Sequence, residues 1–105
     1  MEKSYKNILM ARAEIDVCAA INKTLDSDIN PHDLYKFKGN IPVILAVARN
    51  LTFYLLHNSF GLSYSDISRR AGMTKESVMR CVRKVQYLSE FDSVYQNLMK
   101  EVCDE

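Results

Sequence analysis

Apolar residues recur along the chain at intervals of three and four, which is the spacing of one face of an α-helix. A first helix is predicted over 5–24, and the residues that follow the spacing of its inward face are Ile8, Ala11, Ile15, Cys18 or Ala19, and Ile21 or Leu25. Residues 41–57 are apolar around most of the helix that they predict, which is typical of the central helix of a small bundle. No segment alternates apolar and polar residues as a strand does, so the pattern predicts an all-α fold.

Polar residues interrupt this pattern at two informative places. Arg49 and Asn50 lie in the middle of the central helix and are predicted to mark its side facing water. A short helix is predicted over 31–36, because an Asn-Pro pair provides a capping amide and a first residue with helical φ. The loop that follows it carries two basic residues, Lys36 and Lys38.

The segment 63–88 predicts two helices joined by a tight turn. Ser63 is a capping residue for a helix over about 64–71, and Gly72 is the glycine expected after its last turn. Thr74 can then cap a second helix. A short helix, a tight turn and a second helix that bears cations form the helix-turn-helix pattern, in which the second helix enters the major groove of DNA.

The C-terminal segment 89–105 is predicted to be acidic and either to continue the preceding helix or to form a separate helix capped at Ser89; we favour the break. Its apolar stripe has two interpretations. The first is packing against the first helix of the same chain, which we favour. The second is a homodimer or protein-partner face formed by residues 91–102.

Length and composition support one domain. The chain has 105 residues, of which 48% are apolar and 26% are charged, so we expect a single helical domain over 1–105 with about five to six helices. The longest apolar stretch is shorter than the roughly 20 residues of a membrane span. No secretory leader is visible, and we therefore expect a cytoplasmic protein without membrane contact.

Charge is unevenly distributed although the net charge is only +1. Residues 31–88 hold nine basic and three acidic residues, a net charge of +6, whereas residues 89–105 hold one basic and five acidic residues, a net charge of −4. A basic middle favours an anionic partner such as nucleic acid, and a solvated helix face is the alternative.

No catalytic or metal-binding pattern is present in the sequence. The three cysteines are far apart, the two histidines have no neighbours suited to metal ligation, and phosphate-binding and nucleophile motifs are absent. We therefore expect a protein that is not an enzyme and that needs no metal or cofactor.

The middle of the chain resembles the C-terminal DNA-binding domain of the bacterial replication initiator DnaA, a member of the Trp-repressor-like helix-turn-helix class. The resemblance covers about 13–88 and is carried by Val47-Ala48-Arg49-Asn50-Leu51-Thr52-Phe53-Tyr54-Leu55-Leu56, Gly61-Leu62-Ser63, Asp66-Ile67, Ser77-Val78 and Arg83-Lys84-Val85. It implies phosphate contacts from Arg49 and Lys84 and a basic loop at Lys36 and Lys38. Where that family has Arg-Asp-His-Thr-Thr, this chain has Met73-Thr74-Lys75-Glu76-Ser77, so its base contacts must differ. The 105 residues include no part that resembles the ATPase domain of the initiator, so we do not expect this chain alone to be an ATP-driven initiator.

These observations predict a non-catalytic protein that binds double-stranded DNA through a recognition helix over about 75–88, as a regulator or a factor associated with replication or mobile elements. Lys75, Glu76 and Arg80 are candidates for base contacts. The full set of predicted DNA-binding residues is Lys36, Lys38, Arg49, Ser63, Arg69, Thr74, Lys75, Glu76, Ser77, Arg80 and Lys84. The alternative is a protein–protein adaptor built on the same scaffold without DNA binding.

Overall fold

The computed structural model describes residues 2–36 and 39–103. Within these ranges the fold is all-α, as the sequence predicts, and contains five α-helices and no strand. The helices are α1 (Glu2–Leu25), α2 (Val43–Tyr54), α3 (Tyr64–Ala71), α4 (Lys75–Leu88) and α5 (Ser93–Cys103). The described residues also form two single helical turns. One is a 3₁₀ turn at Pro31–Asp33, and the other is a π-helical turn at Leu55–Ser59 that continues α2.

The central helix α2 separates two apolar clusters. On one side it packs with α1, α4 and α5, where Ile21, Leu51 and Leu98 are almost fully buried. On the other side Phe53 packs in a second cluster with Ile67 of α3. Residues from the first half of α4 complete this second cluster. Because α2 and α4 contribute to both clusters, the position of α4 is determined along most of its length. No helix in the described part of the chain is long and apolar enough to cross a membrane.

The inward face predicted for α1 is confirmed only in part. Cys18 and Ile21 lie in the core, but Ile8 and Ile15 are 65% and 53% exposed, and Ala13 and Val17 are buried instead of them. Apolar residues occur on two opposite sides of α1, and helical spacing alone does not distinguish the side that packs. The short helix predicted over 31–36 is also shorter than expected, since it is a single 3₁₀ turn.

The α3–turn–α4 segment forms as the local sequence predicts. The Ser63 hydroxyl accepts a hydrogen bond from the backbone N–H of Asp66 at 3.1 Å and caps α3. Gly72 follows α3 with φ 70°, the left-handed conformation that glycine adopts without a steric penalty. The Thr74 hydroxyl accepts from the N–H of Ser77 at 3.1 Å and caps α4.

The C-terminal helix α5 packs against α1, and it is not itself acidic as predicted, because within Ser93–Cys103 its only charged residues are Lys100 and Glu101. A break separates α4 from α5, as predicted, although the residue that caps α5 is Asp92, whose carboxylate accepts from the N–H of Val94 at 2.8 Å. Tyr95 and Leu98 are buried in the cluster that α1 also lines. Of the two interpretations of residues 91–102, packing against the first helix is therefore the one observed.

A buried carboxylate connects three parts of the fold. Glu14 of α1, 6% exposed, accepts two hydrogen bonds from Arg70 of α3, at 2.6 and 2.8 Å, and one from the Tyr35 hydroxyl at 2.8 Å. These hydrogen bonds raise the pKa of Arg70. Burial, together with the negative charge of Glu14, raises the pKa of Tyr35.

We expect Arg70→Ala to lower the free energy of unfolding by about 2–4 kcal/mol, because the Glu14 charge would remain buried without its main partner. Arg12→Ala is the matched control, since the Arg12–Asp16 ion pair is exposed and contributes about 0–0.5 kcal/mol. Urea unfolding of both variants measures the difference. Equal stability of the two variants would show that Glu14 does not depend on Arg70.

Candidate nucleic-acid interface

One side of α4 faces solvent along its whole length. The α4 ridge, as we define it, consists of four exposed side chains that follow one another at intervals of four, three and four residues: Glu76, Arg80, Arg83 and Tyr87. It lies directly opposite Val78, Val82 and Val85, which are fully buried. The helix is thus held by its apolar face and presents a ridge with two guanidinium groups.

Two further cations flank the ridge. At 100° per residue, Lys84 and Ser77 lie along one side of the ridge, and Lys75 and Met79 lie along the other. Glu76, Met79, Arg80 and Arg83 also line a shallow depression. The whole face carries four positive charges and one negative charge, a net charge of +3.

The cations of α4 differ from most other described cations in having no carboxylate partner among the described side chains. Among the described side chains, none forms an ion pair with Lys75, Arg80, Arg83 or Lys84. Every other exposed cation with a described side chain, Lys100 excepted, is paired with an acid: Lys6, Arg12, Lys23, Lys36, Arg69 and Arg70. Positive charge is therefore left uncompensated mainly on α4.

Two predicted contact residues are exposed but paired. Arg69 forms an ion pair with Asp66, which also accepts a hydrogen bond from Lys6 at 3.0 Å. The hydrogen bond from Lys6 and the positive charges of Lys6 and Arg69 lower the pKa of Asp66. Lys36 is paired with Asp33 at 3.1 Å. Lys38, its companion in the predicted basic loop, lies outside the described residues.

The position predicted for Arg49 is wrong. Arg49 is 5% exposed and Asn50 is 7% exposed, so neither residue marks a side facing water. The Nε of Arg49 donates a hydrogen bond to the carbonyl oxygen of Leu34 at 2.9 Å, and burial lowers the pKa of the guanidinium. A buried carbonyl needs a donor, and the long Arg49 side chain supplies it from α2. Arg49 is therefore a buried residue that connects α2 to the segment before it.

The predicted hydroxyl residues lie at the helix starts. Ser63 and Thr74 are caps, and the Thr74 hydroxyl also donates to the Ser77 hydroxyl at 2.9 Å. Ser63 and Thr74 are exposed and Ser77 is half-buried. Thr74 and Ser77 lie beside Lys75 and Glu76 at the start of α4. The predicted contact residues of this turn are therefore close to one another, as the sequence predicts.

Two ridge residues were not among the predicted contacts. Arg83 and Tyr87 follow Arg80 at three and seven residues, and this helical spacing was the available signal. The thiols of Cys18, which is buried, and Cys81, which is half-buried, offer no comparable chemistry. Burial raises the pKa of Cys18 to about 11 and also raises the pKa of Cys81, which keeps both protonated near neutrality. No group of three metal-ligating side chains occurs among the residues described.

Comparisons with known proteins add no assignment: no protein family, curated protein or solved structure matches the chain. The resemblance to the DnaA domain thus stays a prediction.

We expect Arg49→Ala to reduce the free energy of unfolding by about 2–4 kcal/mol, because it leaves a buried carbonyl without its donor and a cavity beside α2. Lys84→Ala should change it by less than about 0.5 kcal/mol, since Lys84 is exposed and has no ion-pair partner among the described side chains. Chemical denaturation of both variants checks the contrast. A fully stable Arg49→Ala protein would contradict the structural role given to Arg49.

Proposed function

We propose that the protein binds double-stranded DNA without catalysis, with α3–turn–α4 as a helix-turn-helix and α4 as its recognition helix in the major groove. The observation that carries this proposal is the uncompensated positive charge of α4. Cations without acidic partners retain their full attraction for phosphate, whereas paired cations must first give up a carboxylate.

The geometry of α4 supports major-groove entry. A helix with its side chains is about 10–12 Å in diameter and the groove is about 12 Å wide. Arg80 and Arg83 can reach guanine acceptors, and Glu76 can accept from the amino group of cytosine. Lys75 and Lys84, on opposite sides of the ridge, are suited to the two phosphate backbones that border the groove.

Arg69, the caps Ser63 and Thr74, and Ser77 in the first turn of α4 complete the proposed surface. Arg69 lies in the last turn of α3, the helix that crosses the DNA backbone in this motif. Lys36 and Lys38 belong to the proposal as the basic loop implied by the DnaA resemblance. Arg49 does not, because it is buried.

Fluorescence anisotropy of a generic labelled duplex, titrated at several salt concentrations, tests the proposal. We expect affinity to fall steeply with salt, and Lys84→Ala to weaken binding to all sequences and reduce the salt slope by about one. Arg80→Ala should in addition change the sequence preference. Lys100→Ala is the matched control, since it removes an exposed cation from α5.

Two results would contradict DNA binding by this face. One is absence of binding even at low salt. The other is equal affinity of the wild-type protein and the Lys75, Arg80, Arg83 and Lys84 alanine variants.

The alternative adaptor function has one observation in its favour. Tyr87 and Phe91 are 66% and 70% exposed, with ring centroids 5.1 Å apart, and Val94 beyond them is 40% exposed. Phe91 and Val94 are the large apolar residues of 91–102 that stay exposed after Tyr95 and Leu98 enter the core, and Tyr87 of α4 extends the patch. Absence of DNA binding, together with capture of a specific protein partner that Phe91→Ala abolishes, would favour the adaptor.

A further inference from the structure

An apolar side chain interrupts the charged part of the α4 face. Met79 lines the shallow depression together with Glu76, Arg80 and Arg83, and it is one helical turn from Glu76 and from Arg83. Met79 is half-buried, yet within the described part of the chain it packs against neither apolar cluster, in contrast to Met73 in the turn before α4. The core therefore does not account for an apolar residue at this position.

The chemistry of the major groove restricts what Met79 can contact there. The edges of the base pairs present hydrogen-bond donors and acceptors in this groove, and the apolar group that they present is the C5-methyl of thymine. The thioether of a methionine is only a weak acceptor, but the side chain is flexible and polarizable and adapts its shape to a small apolar group. The thymine methyl is thus the feature of the groove that complements Met79.

The position of Met79 along α4 is inside the part of the helix proposed to contact bases. Glu76 and Arg83 are seven positions apart. At about 1.5 Å per residue they are separated by about 10.5 Å along the helix axis, which corresponds to about three base-pair steps of ~3.4 Å each when α4 lies along the groove. Met79 lies between these two residues. A base pair that Met79 contacts is therefore flanked by the base pairs within reach of Glu76 and Arg83.

We propose, as an inference that rests on the proposed function, that Met79 is a specificity-determining residue that selects thymine by packing against its C5-methyl group. Arg80 and Arg83 recognise hydrogen-bonding groups, whereas Met79 recognises a group that forms no hydrogen bond. Deoxyuridine forms the same base pair with adenine and lacks only this methyl group. It should therefore be bound less well than thymidine at the position that faces Met79.

Removal of single methyl groups from the DNA tests the proposal. The full chain first selects its preferred sequence from a pool of randomised duplexes, and each thymine of that sequence is then replaced in turn by deoxyuridine. Fluorescence anisotropy gives the dissociation constant of each duplex. We expect one replacement to weaken binding of the wild-type protein by about fourfold, which corresponds to the loss of one buried methyl group.

Substitutions at Met79 test whether this residue recognises the methyl group. Met79→Ala should bind the thymine and deoxyuridine duplexes equally and keep the salt slope of the wild-type protein, because no phosphate contact is lost. Its helical circular dichroism spectrum should not change, since alanine favours helix and Met79 lies outside both clusters. Met79→Leu should retain the preference for thymine, because it keeps an apolar side chain of similar volume.

Lys84→Ala is the matched control on the same helix. It removes a proposed phosphate contact, so it should weaken binding to the thymine and deoxyuridine duplexes by the same factor and preserve the ratio of their dissociation constants. The ratio thus separates recognition of the methyl group from a general loss of affinity.

Two results would overturn the proposal and leave DNA binding intact. One is a selected sequence in which no deoxyuridine replacement weakens binding. The other is a preference for thymine that Met79→Ala retains in full, since another residue would then recognise the methyl group. Absence of duplex binding even at low salt is a separate outcome, which contradicts the proposed function and overturns this inference with it.

Discussion

The buried Glu14 carboxylate is the interaction on which the arrangement of the other elements depends. It takes hydrogen bonds from Arg70 of α3 and from Tyr35 in the segment before α2, so one charged group connects α1, this segment and α3. A carboxylate removed from water is costly unless its oxygens are satisfied. The three hydrogen bonds therefore define one favourable position of α3 against α1, and α4 follows from α3 through a turn of three residues.

This arrangement separates the charges of the protein into two groups. Most acidic groups on the helices are used internally: Glu14 holds Arg70, and Asp66 holds Lys6 and Arg69. The cations of α4 have no such partners among the described side chains. The same tertiary contacts that stabilise the bundle thus leave the positive charge concentrated on the exposed side of α4, and this concentration supports the proposed attraction to DNA although the net charge is only +1.

Much of the candidate interface could be predicted from the sequence, because α4 is amphipathic and its caps are local. The exposed positions of Lys75, Glu76, Arg80 and Lys84 follow from helical spacing opposite the buried valines. Arg49 could not be placed this way. A long cationic side chain in an apolar helix can either extend into water or donate to a buried acceptor. For Arg49 the acceptor is the Leu34 carbonyl, which is 15 residues away in the sequence and is not part of the local pattern.

The sequence by itself determined the five α-helices, the turn between α3 and α4 and the break before α5, because caps and glycine turns depend on hydrogen bonds and steric limits within four residues. Gly72 and Thr74 act at the positions where the local pattern places them. Only the tertiary structure decided which side of α1 is buried, because both sides carry apolar residues. Packing against α2 and α5, together with the Glu14–Arg70 contact, turns Val17 and Ile21 inward and leaves Ile8 and Ile15 facing solvent.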